Sequence, residues 1–165
     1  MVESTAASAD AGRYLQQAID AGREGMRAHR GGPFGAIVVG PDGTVAGVGC
    51  NRVTSSNDPT AHAEVLAIRA ACQGLGTFLL DGYTLYTSCE PCPMCLAAAY
   101  WARVKAIVYG ATRAEAAEAG FDDAFIYEEI GRPLEERRIP MHRLPDESAV
   151  ALFDEWRTMS DRTAY

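Results

Sequence analysis

The sequence predicts an α/β domain with helices on both faces of one sheet. Three observations carry this. Segments rich in strand formers, at 36–39, 45–48, 83–87 and 104–109, alternate with segments whose apolar residues recur at helical spacing. In the second half the order is strand, helix, strand, which calls for a parallel pair joined by a crossover. The 165 residues, 48% hydrophobic, suffice for one core, and no linker is long enough to divide them.

The elements follow in order. Residues 1–9 are rich in Ser and Ala and are expected to form a flexible tail. A helix begins near Asp10, its candidate N-cap, with Tyr14, Leu15, Ala18, Ile19 and Gly22 on one face. It ends at the breaker cluster Arg30-Gly31-Gly32-Pro33. Residues 36–39 and 45–48 pair as a hairpin around Pro41-Asp42-Gly43. A polar loop spans 51–59, and a helix capped by Asp58 or Thr60 starts near Ala61 and stops at Gly74-Leu75-Gly76. The strand at 83–87 leads into a Cys-Pro segment and an Ala-rich helix from Met94 to Trp101. After the strand at 104–109, helices are expected over 113–119, 122–130 and about 147–158.

Charge narrows the function. Fifteen basic and 22 acidic side chains leave a net charge of -7. Nucleic-acid binders usually carry a basic patch and a high pI, whereas the pI here is about 4.9. A small, weakly charged substrate fits better than nucleic acid. No apolar run approaches the roughly 18 residues that span a bilayer, and no signal-peptide pattern is present. Five cysteines, an odd number, argue against a disulfide framework. The expectation is a soluble cytoplasmic protein.

Two short segments carry the chemistry: His62-Ala63-Glu64 and Pro91-Cys92-Pro93-Met94-Cys95. His62, Cys92 and Cys95 offer three ligands to a tetrahedral zinc, one ion per subunit. Three protein ligands leave the fourth position open for water, the catalytic arrangement. Glu64 lies beside the metal as a proton shuttle. Both segments open helices, whose N-terminal dipoles favour thiolate, and Pro93 suits a first helical turn. The combination matches a known signature of zinc-dependent nucleobase deaminases. Read singly, Cys-x-x-Cys also fits a redox pair, and Cys89 leaves a closed Cys3His structural site as an alternative.

Reading outward, the chain resembles the bacterial guanine deaminases of the cytidine deaminase superfamily. The residues that carry the resemblance are Gly31 to Ala36, Asn57 to Glu64, Thr87 to Cys95, Tyr100 to Arg103 and Ala116 to Asp123. It covers about residue 12 to Tyr165. It implies a three-layer α/β/α sandwich with a central mixed five-stranded sheet, and conversion of guanine to xanthine and ammonia. It further implies Asp123 as a second acid near the purine amino group. Asn51 and the backbone N–H of Ala63 would bond the purine, and Phe34, Trp101 and Phe121 would line the pocket. The C-terminal helix and tail, about 147–165, would cross to a partner in a swapped homodimer, with Tyr165 closing the partner's site. Each residue also has a plainer reading. Asp122 and Asp123 suit an N-cap pair, Phe121 and Trp101 suit a core, Phe34 suits a turn anchor, Asn51 suits a turn, and Tyr165 suits a loose end. Guanosine, cytosine or an aminotriazine such as ammeline are rival substrates. A tRNA adenosine deaminase and a non-catalytic zinc module are the rivals from other classes.

Overall fold

The central sheet has the strand order β2-β1-β3-β4. A computed structural model describes residues 9–164, in two units: one running to Ala124 and one of Phe125 onward. The expected tail at 1–9, apart from the start of the first helix, and Tyr165 lie outside the described residues. In the first unit, β1 (Gly35–Val39) is antiparallel to β2 (Val45–Cys50) and to β3 (Thr84–Cys89), while β3 is parallel to β4 (Ala106–Ala111). The hairpin and the parallel pair are therefore as expected.

Strand alternation sorts the core into two layers. Ile37 and Val39 of β1 and Tyr86 of β3 pack with Tyr14 and Ala18 of α1 (Ala9–Arg27). Ala36, Val38 and Leu85 face the other way, onto α3 (Ala63–Leu75) and α4 (Pro93–Ala102). Helices thus cover both faces of a mixed sheet. Its second layer is built from small residues. A Cβ on Gly49 would meet the Ala63 carbonyl at 2.1 Å, and one on Gly47 would meet that of Ala67 at 2.3 Å. The absence of side chains at Gly47 and Gly49 lets the α3 backbone lie against β2.

Some boundaries differ from the sequence expectation. Asp10 lies within the first turn of α1 rather than before it, and α1 ends at Arg27, ahead of the glycine pair. A short helix, α2 (Val53–Ser56), interrupts the loop expected at 51–59. Asp58 and Thr60 do not cap α3. The Asp58 carboxylate instead accepts from the Thr60 N–H and hydroxyl at 2.8 and 2.7 Å, closing a turn ahead of it. His62 is the N-cap residue.

Among the described residues the sheet has four strands, one fewer than the five implied by the resemblance. After β4 come α5 (Arg113–Glu118) and α6 (Ala124–Gly131), the latter beginning at the last residue of the first unit. The stretch from there to α7 (Glu147–Thr158) holds Pro133, Pro140 and Pro145, each lacking a ladder donor. It forms only a 3-10 turn at Leu134–Glu136. Within the second unit, Glu129 pairs with Arg132 and Arg138. No residue of α7 is buried, and Val150, Leu152 and Phe153 are exposed. No described helix is long and apolar enough to cross a membrane.

Candidate metal centre and active site

Two helix starts face each other across one end of the sheet. His62 and Cys92 are the N-cap residues of α3 and α4, with extended backbones and no side-chain cap hydrogen bond. An N-cap side chain normally turns back onto its own helix; here both turn to each other. His62 Nδ1 lies 3.5 Å from Cys92 Sγ and 3.5 Å from Cys95 Sγ. All three ligand atoms lie within 4.8 Å of one another.

These distances test the fit to zinc. With Zn–S of about 2.3 Å and Zn–N of about 2.0–2.1 Å, a tetrahedral site has an N···S edge of about 3.5–3.6 Å. Both observed edges agree. The electrostatics agree as well. Cys92 is held down to about 4, first because it accepts a hydrogen bond from Cys95 and then through His62. Cys95 is pushed upward by the same bond and by burial. The hydrogen bond that the His62 ring donates to Cys92 raises His62. A thiolate at Cys92 is the form that binds a dication.

Cys89 stands apart from the ligands. Its thiol donates to the Thr112 carbonyl at 3.7 Å, and burial pushes it up to about 11. Among the described residues the cluster has three ligands, so the arrangement is open rather than closed.

Glu64 opens α3 and is buried, with one carboxylate oxygen accepting from the Thr87 hydroxyl at 3.0 Å. The other lies 3.4 Å from Cys95 Sγ. Burial raises its carboxyl above the ordinary range, and these hydrogen bonds oppose the rise. A cavity of about 380 Å³ begins there, within the ~300–1,000 Å³ range of small-molecule sites. His62, Glu64, Cys92, Asn51, Phe34, Phe121 and Asp123 all line it. Phe34 and Phe121 meet edge to face, with centroids 4.8 Å apart. Asn51 is anchored by its carbonyl oxygen, which accepts from the Gly32 and Val53 N–H groups at 3.2 Å each. Its amide therefore has donors to spare.

The segment bearing Phe121 and Asp123 is positioned locally. Thr112 and Glu115 form a capping box at the start of α5. Gly120, at φ 90°, turns the chain back. Both aspartates line the cavity: Asp122 also accepts from the Ala124 N–H at 2.9 Å, while Asp123 is raised mainly by burial and then by Cys92.

One expected contact does not line this cavity. Trp101 lies outside the cavity lining and is 67% exposed. It follows Cys92 by nine residues on α4, about 13 Å along the axis. Ala63 is fully buried at the first position of α3, and the contact expected of it is through its backbone N–H. Sequence reasoning missed Thr87, Glu90 and Arg113. The parity of β3 could have found Thr87, two residues from Cys89 on the same face.

Residues 8–111 match the family described as the cytidine and deoxycytidylate deaminase zinc-binding region. The chain belongs to this family. Its metal centre is the zinc-binding site of His62, Cys92 and Cys95 typical of such deaminases. The chain is 53% identical to the guanine deaminase of Bacillus subtilis (strain 168), over 92% of this chain and 97% of that protein. The X-ray structure of guanine deaminase from Bacillus subtilis superposes with a TM-score of 0.90 at 52% identity, covering 93% of this chain and 98% of that one. A tRNA-specific adenosine deaminase of Agrobacterium fabrum is 48% identical, but over 48% of this chain and 51% of that protein.

Proposed function

We propose that this protein catalyses the zinc-dependent hydrolytic deamination of guanine to xanthine and ammonia. The observation that carries this reading is the extent of the likeness to Bacillus subtilis guanine deaminase. A match spanning 92% of the chain must run past the metal-binding segment and take in Phe121 and Asp123. The tRNA-specific relative shares about half of the chain, and the net charge of -7 does not favour a polyanion.

When bound, zinc supplies a water acidic enough to attack at neutral pH. Glu64 takes a proton from the attacking water and passes it to purine N3 as C2 becomes tetrahedral. Asp123 assists the second proton transfer, to the amino group, and ammonia leaves. Phe34 and Phe121 form the apolar wall for the base. Asn51 turns its amide donors, and Ala63 its backbone N–H, to acceptors on the purine edge. Such a site rejects bases that leave its own buried groups unpaired.

The same reading takes residues 1–165 as one cytoplasmic deaminase domain that works as a homodimer. The exposed apolar residues of α7, together with Tyr100 and Trp101 on α4, suit burial against a second copy. The C-terminal segment would be exchanged, with the partner's Tyr165 closing the site, and the sheet would have five strands.

The test is ammonia release by zinc-loaded protein from guanine, guanosine, cytosine, cytidine, adenine and ammeline. Guanine is expected to dominate; preference for any other compound overturns the substrate. Glu64→Ala should abolish xanthine formation with zinc content intact, and retained turnover would sink the shuttle role.

A further inference from the structure

We propose that Thr87 is a positioning residue for Glu64, anchoring one carboxylate oxygen so that the other carries the proton. The proposal rests on the deaminase reading above and deepens it.

Thr87 has no solvent exposure, and with Asn51 and Glu64 it makes up the buried polar and charged side chains of the core. A hydroxyl in such a place is costly unless it is bonded. On β3 it stands between Leu85 and Cys89 on the face that meets α3. Valine would fill the same volume without a polar atom, so packing does not call for threonine. Its hydroxyl reaches Glu64 Oε1 at 3.0 Å. A carboxylate oxygen only accepts, so the hydroxyl donates.

This bond divides the carboxyl group. Oε1 is tied to the sheet, while Oε2 lies 3.4 Å from Cys95 Sγ, beside the ligand cluster. A proton taken from the attacking water forms an O–H on Oε2, and the water's O–H bond breaks. Oε1 then becomes a carbonyl oxygen and still accepts from Thr87. When Oε2 gives its proton to the purine nitrogen, the carboxylate returns. The Thr87 bond therefore survives both protonation states, and the shuttle need not rotate between steps. That persistence distinguishes a positioning bond from one that competes for the travelling proton.

The experiment compares zinc-loaded wild type, Thr87→Val and Thr87→Ser. T87V should lower kcat for guanine by about tenfold to a hundredfold, as displaced catalytic groups do. Its KM should stay within about threefold and zinc should remain at one per subunit. T87S, which keeps the hydroxyl, should restore kcat to within about threefold of wild type. Wild-type kcat in T87V overturns the proposal. So does a loss of thermal stability in T87V with turnover per folded molecule unchanged, the mark of a merely structural role. If T87V does not fold, Thr87→Ala carries the same comparison. If the wild type does not act on guanine, the substrate reading fails by itself. Crystal structures of zinc-loaded wild type and T87V then decide the role of Thr87: a displaced Glu64 carboxylate supports it, and an unmoved one overturns it.

Discussion

Asn51 holds the polypeptide and is proposed to hold the substrate, and two substitutions separate these tasks. Its Oδ1 accepts from Gly32 and Val53 at 3.2 Å each, and the residue is buried. Asn51→Ala removes both bonds. At about 0.5–1.5 kcal/mol net per hydrogen bond, the loss is about 1–3 kcal/mol. For a chain of this size that is roughly 2–4 °C of Tm per kcal/mol, or a fall of about 2–12 °C. Asn51→Asp keeps an acceptor at the same place, so its Tm should stay within about 2 °C of wild type. It removes the amide donors, however, and points a second acceptor at the purine. An unpaired buried group costs about 1–3 kcal/mol, so kcat/KM for guanine should fall by about fivefold to 150-fold, and the added charge pushes toward the larger value. The assays are thermal unfolding and steady-state ammonia release on zinc-loaded protein. An Asn51→Asp variant with wild-type kcat/KM would refute the donor role. An Asn51→Ala variant with unchanged Tm would refute the anchoring.

Three further outcomes follow from the geometry. In metal-free protein, Cys92, held down to about 4 by the hydrogen bond from Cys95, should be thiolate at pH 6. An ordinary thiol near 8.5 is then under about 1% ionised. Iodoacetamide at pH 6 should label Cys92 first by peptide mapping, the preference fading as pH rises through the range where other thiols ionise, and zinc should protect it; uniform labelling would contradict the lowered Cys92 thiol. Gly49→Ala brings a Cβ to 2.1 Å from the Ala63 carbonyl, so α3 must shift at a cost of about 1–3 kcal/mol. Because that helix carries Glu64 and starts at His62, zinc occupancy should drop with Tm, and wild-type values of both would show that the contact yields freely. Cys89→Ser should keep zinc and turnover, and cobalt-substituted protein should show two thiolate ligands, a third being the result that makes the site closed.

Much of the fold was legible in the chain because its signals are local. Breakers, strand formers and apolar spacing located every strand of the four-stranded sheet and the principal helices, and the parallel β3–β4 pair follows from the crossover between them. Caps were less legible. Asp58 and Thr60 look like helix starts, but Asp58 satisfies Thr60 inside a turn. The expected fifth strand came from family likeness rather than from the residues, and the stretch after β4 is broken by prolines.

The sequence by itself pointed to the metal chemistry through a known signature. Three-residue spacing places Cys92 and Cys95 on one helical turn, and their conjunction with His62-Ala63-Glu64 matches a known signature, so the four residues could be named before any fold was known. Only the tertiary structure decided which neighbours share that site. It brought Phe34, Asn51, Phe121 and Asp123 to one cavity and left Trp101 outside. It also set Cys89 against Thr112 instead of the ligand cluster and Thr87 against Glu64. These outcomes depend on which face of a strand or helix a side chain occupies once distant segments have packed. That choice is made by the whole core, and no residue's immediate neighbours in the chain contain it.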